Sequence, residues 1–512
     1  MRVTRFITLA GATAATALVL ASCSADGTDS GGSAEGSSSA LTIGSLQEPT
    51  SWDPAQANEG HLAPIYQALY DPLIKREPDG TLSPMLATEW ETSEDGLSLR
   101  FTLRTDVTFS DGTPFNAEAV KVNMEHFVEA NGPMAGNYST VDSVEVVDDE
   151  TVVFHLSSPD PELIYSLSNA GGYMASPAAI EDGTVGDDPV GSGPYLLDKS
   201  SSVVGSNISY ERNPDYWGEE LPYDEVEFKI LTDETARLNA LTSGQIDVAS
   251  LNRAASAVQA DGAGLNTEAD FSVNWGGLLF FDRSGELQPE FEDPRVREAL
   301  AIAIDSDALI EAGWEGRGNE TAQVWGSDTE AYDESLDDAY AYDPERASEL
   351  LAEAGAEDLS ITLPLSPVFE PVVYDAIIQN WQDIGVTVER HQWGPGEAIP
   401  SMQQGEFPVA FMTLAQRSDW GTVKFLIAED APWNSLESTD PELQELIDAY
   451  PTAPEDEQPE IARAMNEWIV DNFWFAPIMH PDTFIYWSDG VDVEVQVQQA
   501  VPSIYNYAPS GS

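Results

Sequence analysis

The side chains suited to acid–base, nucleophilic or metal chemistry are present in this chain but do not form constellations. Five histidines (His61, His126, His155, His391 and His480) are scattered, with no pair at the spacing of an HExxH helix or another metal-ligand pattern. No G-x-S-x-G elbow, phosphate-cradling P-loop or EF-hand calcium loop occurs. "GSGPYLL" at 191–197 has two close glycines but lacks the third, and the helix, that a dinucleotide site requires. With 90 Asp and Glu residues, some pair at glycosidase separation is always available, so abundance singles out no pair. The residues therefore call for no catalytic group, no cofactor and no directly coordinated metal ion.

Charge narrows the partners. The 21 Lys and Arg against 90 Asp and Glu give a net charge of −69. Such a surface repels DNA, RNA and anionic membranes over long range, so no nucleic-acid partner is expected. The acids are dispersed rather than gathered in a tail, which reads as a well-solvated surface suited to a salty exterior or as one that attracts cationic ligands.

The sole cysteine, Cys23, closes the segment "ALVLASC". Arg2 and Arg5 followed by a small and apolar run from Phe6 to Leu20 form the charged and apolar regions of an export signal. That run is shorter than the roughly 20 residues a spanning helix needs. Leu20-Ala21-Ser22-Cys23 resembles the bacterial lipobox, which implies cleavage before Cys23 and lipid attachment to it. A lone cysteine makes no intramolecular disulfide, and a lipid anchors without a spanning helix. Residues 24–40 are rich in Ser and Gly and read as a flexible tether, on the order of 20–25 Å in mean reach.

From Leu41 onward, short strands alternate with capped helices. "LRFTL" at 99–103 alternates apolar and polar residues as a half-buried strand, and "VEVVDDETVVFHL" at 144–156 reads as a hairpin about Asp148-Asp149. A helix follows Asn116, with Val120, Met124, Phe127 and Val128 on its buried face. Asp293-Pro294 and Asp343-Pro344 each start a helix, and Gly355 stops the second. "ITLPL" at 361 and "VTVER" at 386 flank another helix, so the fold class is α/β in more than one lobe.

The segment "LSPMLATEWETSEDGLSLRFTLRTDVTFSDGTPFNAEAV" (82–120) resembles the hallmark of the peptide/nickel class of ABC-transporter substrate-binding proteins. Pro84, Leu86, Ala87 and Trp90 match its first motif, and Val107, Phe109, Asp111, Gly112 and Pro114 a later one. "GSGPY" (191–195), "RNPDYWG" (212–218), "LTSGQID" (241–247), "DPRVREALAIAID" (293–305) and "YDPERASELLAEAG" (342–355) follow in the family's order. The resemblance implies a two-lobed periplasmic-binding-protein-like clamp with an extra α+β subdomain. Lobe I would comprise 41–75, 190–283 and 477–512, the inserted subdomain 76–189, and lobe II 284–476. The crossings would lie near 280–286 and 475–482.

It also implies a site. In peptide-binding relatives an Asp at the end of a lobe II strand pairs with the ligand's ammonium group. Asp419, after the strand "VAFMTL" (409–414), is the match, with Trp420 as an apolar wall and Arg417 as a carboxylate partner. The chain departs from the family in reading "DWGTVKFL" where D-x-P-D-P is common. Trp275, Trp393, Glu48 and Asn58 are further candidates. The expected protein is a monomer, anchored by lipid to the outer face of a bacterial cell membrane. It would capture a small solute, first of all a short peptide, for an ABC permease and its ATPase. A surface signalling receptor of the same fold and a secreted hydrolase are the alternatives.

Overall fold

The computed structural model describes residues 39–58, 60–269 and 271–511; the export signal, Cys23 and nearly all of the tether lie outside them. Helix starts form where side chains can satisfy the first free N–H groups. Asn116 accepts from the Ala119 N–H at 3.0 Å, Asp293 from Arg295 at 3.0 Å and Asp343 from Arg346 at 2.9 Å. They begin the helices Ala117–Ala130, Pro294–Ile302 and Pro344–Ala354. Val128, expected on the buried face of the first, is 50% exposed. It stands about 100° round from buried Phe127 and so clears the core.

Seven strands make the first sheet. Their order is Asn266–Thr267, Phe484–Trp487, Val248–Leu251, Ala40–Ser45, Glu225–Ile230, Asn207–Arg212 and Tyr195–Leu197. Ala40–Ser45 runs parallel to both of its neighbours. Side chains alternate between two cores, as strand geometry requires. Val248 and Ile485 join Ile65 and Tyr66 on one side, whereas Ala249 and Tyr486 meet Leu238 and Ala257 on the other.

The second sheet is antiparallel, in the order Gly318–Glu320, Ala476–Pro481, Asn274–Phe280 and Val409–Ala415. Leu278 and Phe280 point to one core with Leu300 and Trp381, and Leu279 and Phe281 to another with Trp325 and Met465. The strand Asn274–Phe280 pairs along its whole length with Val409–Ala415. The chain therefore leaves the first sheet after Thr267 and joins the second by Asn274, ahead of 280–286. It returns between Pro481 and Phe484.

A third layer is inserted into the first lobe. Its antiparallel strands Ala87–Thr92, Ser98–Leu103, Thr151–Leu156 and Val141–Asp148 carry the helix Ala117–Ala130 over Phe101 and Phe154. Where it meets the first lobe, buried Asp71 accepts from Ser192 Oγ (2.9 Å), Trp217 Nε1 (2.7 Å), Tyr505 Oη (3.0 Å) and Tyr216 Oη (3.2 Å). Gly191 and Gly193 press on the Leu69 backbone, where an added Cβ would lie 2.0 Å and 2.4 Å from its atoms. The "GSGPY" glycines thus serve close backbone packing. Among the described residues, no helix is long and apolar enough to cross a membrane, and no group of three or more His, Cys, Asp or Glu is placed to hold a metal ion.

Candidate functional site

The strand Val409–Ala415 ends in Gln416, Arg417 and Ser418, followed by the short helix Asp419–Thr422 and a π-helical turn, Val423–Ile427. Ser418 starts that helix by accepting from the Gly421 N–H at 3.0 Å. This tight turn brings Arg417, Asp419, Trp420 and Lys424 onto one end of the second lobe.

Asp419 is half-buried, and its carboxylate accepts from the Ala331 N–H at 3.0 Å. Burial pushes its pKa up to about 6, aided by the charges of Glu330 and Asp328 and opposed by the Ala331 and Glu330 N–H groups. Trp420 stacks on Tyr450 with ring centres 5.4 Å apart and planes within 1°. Arg417 lies over the Phe425 ring at 4.0 Å, and its buried Nε has no hydrogen-bond partner. Among the described residues, Arg417 is the one Lys or Arg that is not exposed yet makes neither a hydrogen bond nor an ion pair. A cation so placed is a ready partner for an anion.

The inserted subdomain faces this end of the second lobe with Asp160 and the helix Glu162–Ser166. Asp160 accepts from Lys424 Nζ at 2.7 Å and from Thr140 Oγ1 at 2.9 Å. Glu162 accepts from the Ser418 hydroxyl. Burial raises the pKa of Glu162, while Ser418 and the charges of Arg76, Arg417 and Lys424 oppose the rise. Arg76 lies over the Tyr165 ring at 5.6 Å and donates to Gln498 at 2.5 Å; Gln498 in turn donates to Asp328 at 2.6 Å. Tyr165 and Tyr450, one from each wall, both feel the charges of Glu162 and Asp419. The two carboxylates thus lie near each other where the inserted subdomain meets the second lobe.

Of the residues expected from sequence, Asp419, Trp420 and Arg417 come together here. Trp275 does not join them; it is fully buried in the second-lobe core, edge-on to Phe475 at 5.9 Å. Trp393 is also core, donating through Nε1 to Ser401 Oγ at 3.1 Å and packing on Phe407. Each indole finds more apolar contact inside the lobe than a cleft wall offers. Glu48 holds a first-lobe turn by accepting from the Gly205 N–H at 2.9 Å, and Asn58 is exposed. Sequence reading missed Asp160, Glu162, Tyr165 and Arg76. Nothing local marks them, because Glu162 and Ser418 stand 256 residues apart.

Two α/β lobes with an inserted subdomain, and charged groups gathered where that subdomain meets the second lobe, define a two-lobed clamp fold. Residues 81–426 match the model of the bacterial extracellular solute-binding proteins, family 5 Middle, and the chain belongs to that family. It is 30% identical over 315 residues to the glutathione-binding protein GsiB of Salmonella choleraesuis, a match spanning 60% of each chain. With the di/tripeptide-binding protein 1 of Pseudomonas aeruginosa it shares 28% identity over 398 residues, 70% of this chain and 72% of that one. The structure of HbpA2 from Haemophilus parasuis has the same fold, with a TM-score of 0.81 at 22% identity, over 92% of this chain and 100% of that one.

Proposed function

We propose that this chain is the extracytoplasmic solute-binding component of an ABC importer and that it holds a short peptide by its two charged ends. Asp419 takes the ammonium group and Arg417 the carboxylate, with Trp420 and Tyr450 as an apolar wall. The observation that carries this reading is the unpaired Arg417 guanidinium, two residues from a carboxylate that burial has lifted to about 6. In a cleft shielded from water, a zwitterion satisfies both groups at once. The similarity to glutathione- and di/tripeptide-binding proteins supports the same ligand class.

Capture proceeds by closure of the lobes about the two crossings, with no covalent step, and the closed form docks on a membrane permease whose partner ATPase supplies the energy. Lipid on Cys23 anchors the monomer to the outer face of the cell membrane. Calorimetric titration with trialanine and N-acetyl-trialanine tests the ammonium contact. Acetylation is expected to weaken binding by about a hundredfold or more. Equal affinity for the two peptides would remove Asp419 from this role.

A further inference from the structure

The carboxylate half of this cleft already holds a carboxylate of the protein. Glu162 is brought by the inserted subdomain, bonded by the hydroxyl of Ser418 from the opposite wall, and set in the fields of Arg76, Arg417 and Lys424. Lys424 is committed to Asp160, whose side chain is only 1% exposed, whereas Arg417 has no ion-pair partner among the described residues. The room for Glu162 depends on Gly421, where an added Cβ would lie 2.9 Å from Glu162 Oε2. An anion entering beside Arg417 therefore meets a negative charge held in place by its own hydrogen bond.

We propose that Glu162 is the specificity-determining residue of the carboxylate subsite, competing with a ligand carboxylate for Ser418 and for the positive field of Arg417. This rests on the reading of Arg417 as the carboxylate partner and adds a consequence. The native chain discriminates less between peptides with a free and an amidated C-terminus than Arg417 alone would allow, because repulsion from Glu162 offsets part of the attraction to Arg417. Removing the Glu162 charge sharpens that discrimination.

The test is calorimetric titration of the full chain with trialanine and trialanine amide, using wild type, Glu162→Gln and Glu162→Ala. In Glu162→Gln, affinity for the free acid is expected to rise about tenfold, while that for the amide moves less than about twofold. Glu162→Ala, which also removes the charge, shifts the ratio the same way, and it carries the test alone if Glu162→Gln does not fold. An acid-to-amide ratio that stays the same or falls in the folded variants overturns the role of Glu162 while leaving peptide binding intact. Failure of both peptides to bind any of the three proteins overturns the peptide reading and this inference with it.

Discussion

Lys424 of the second lobe reaches Asp160 of the inserted subdomain, Nζ to Oδ2, at 2.7 Å. The Asp160 side chain is 1% exposed and that of Lys424 29%. Breaking one side of such a pair leaves a buried charge. Lys424→Met should cost about 2–4 kcal/mol in urea denaturation, and adding Asp160→Asn should recover part of it. Additive losses in the double variant would show that the pair is not coupled.

Asp419 gives the binding reaction a pH dependence. Its carboxyl titrates at about 6, and an ammonium group binds the charged form. Below that value binding must first expel a proton, so affinity should fall by about tenfold per pH unit. Above it, affinity should be flat. Titrations with trialanine at acidic and neutral pH measure the slope, and Asp419→Asn should abolish it.

Asp71 makes stability depend on pH in the opposite sense to an ordinary salt-bridged acid. Burial raises it from 3.8 to about 6 in spite of four donors. Between those values the folded chain keeps a proton that the unfolded chain has lost. Stability should therefore decline by up to about 3 kcal/mol as pH rises through that window. Asp71→Asn should flatten the slope and lower stability by about 2–3 kcal/mol at the acidic end of the window, since an amide cannot accept from all four donors; the loss should shrink as pH rises, because the amide has no charge to bury. Denaturation curves across the window decide it.

His126, on the helix Ala117–Ala130, bonds Asp53 of the first lobe at 2.9 Å. That hydrogen bond is the main cause of its raised pKa. Its stabilisation should be complete below 6.5 and lost as pH rises through the folded value. His126→Gln should lower stability by about 1 kcal/mol at acidic pH and less at alkaline pH. A loss independent of pH would exclude an ion pair.

Much of the fold is legible because its signals are local. Asp293-Pro294 and Asp343-Pro344 start helices, Gly355 takes the left-handed conformation that ends one, and "LRFTL" lies within the strand Ser98–Leu103. Half of the cleft is legible for the same reason, since Arg417, Asp419 and Trp420 sit in one turn. The other half comes from packing between elements hundreds of residues apart, and no spacing in the sequence places Glu162 against Ser418 or Asp160 against Lys424. The tryptophans mislead because an indole before a glycine reads alike in a cleft wall and in a core. Trp275 is settled by its strand partner, Leu414, which only the fold supplies.

The most direct test of the central claim, a peptide held at Asp419 and Arg417, is native mass spectrometry of the protein titrated with a library of short peptides. The account predicts a mass increase of one peptide per chain, lost in Asp419→Ala and weakened in Arg417→Gln. No bound peptide, or peptide binding that both variants retain, would contradict it.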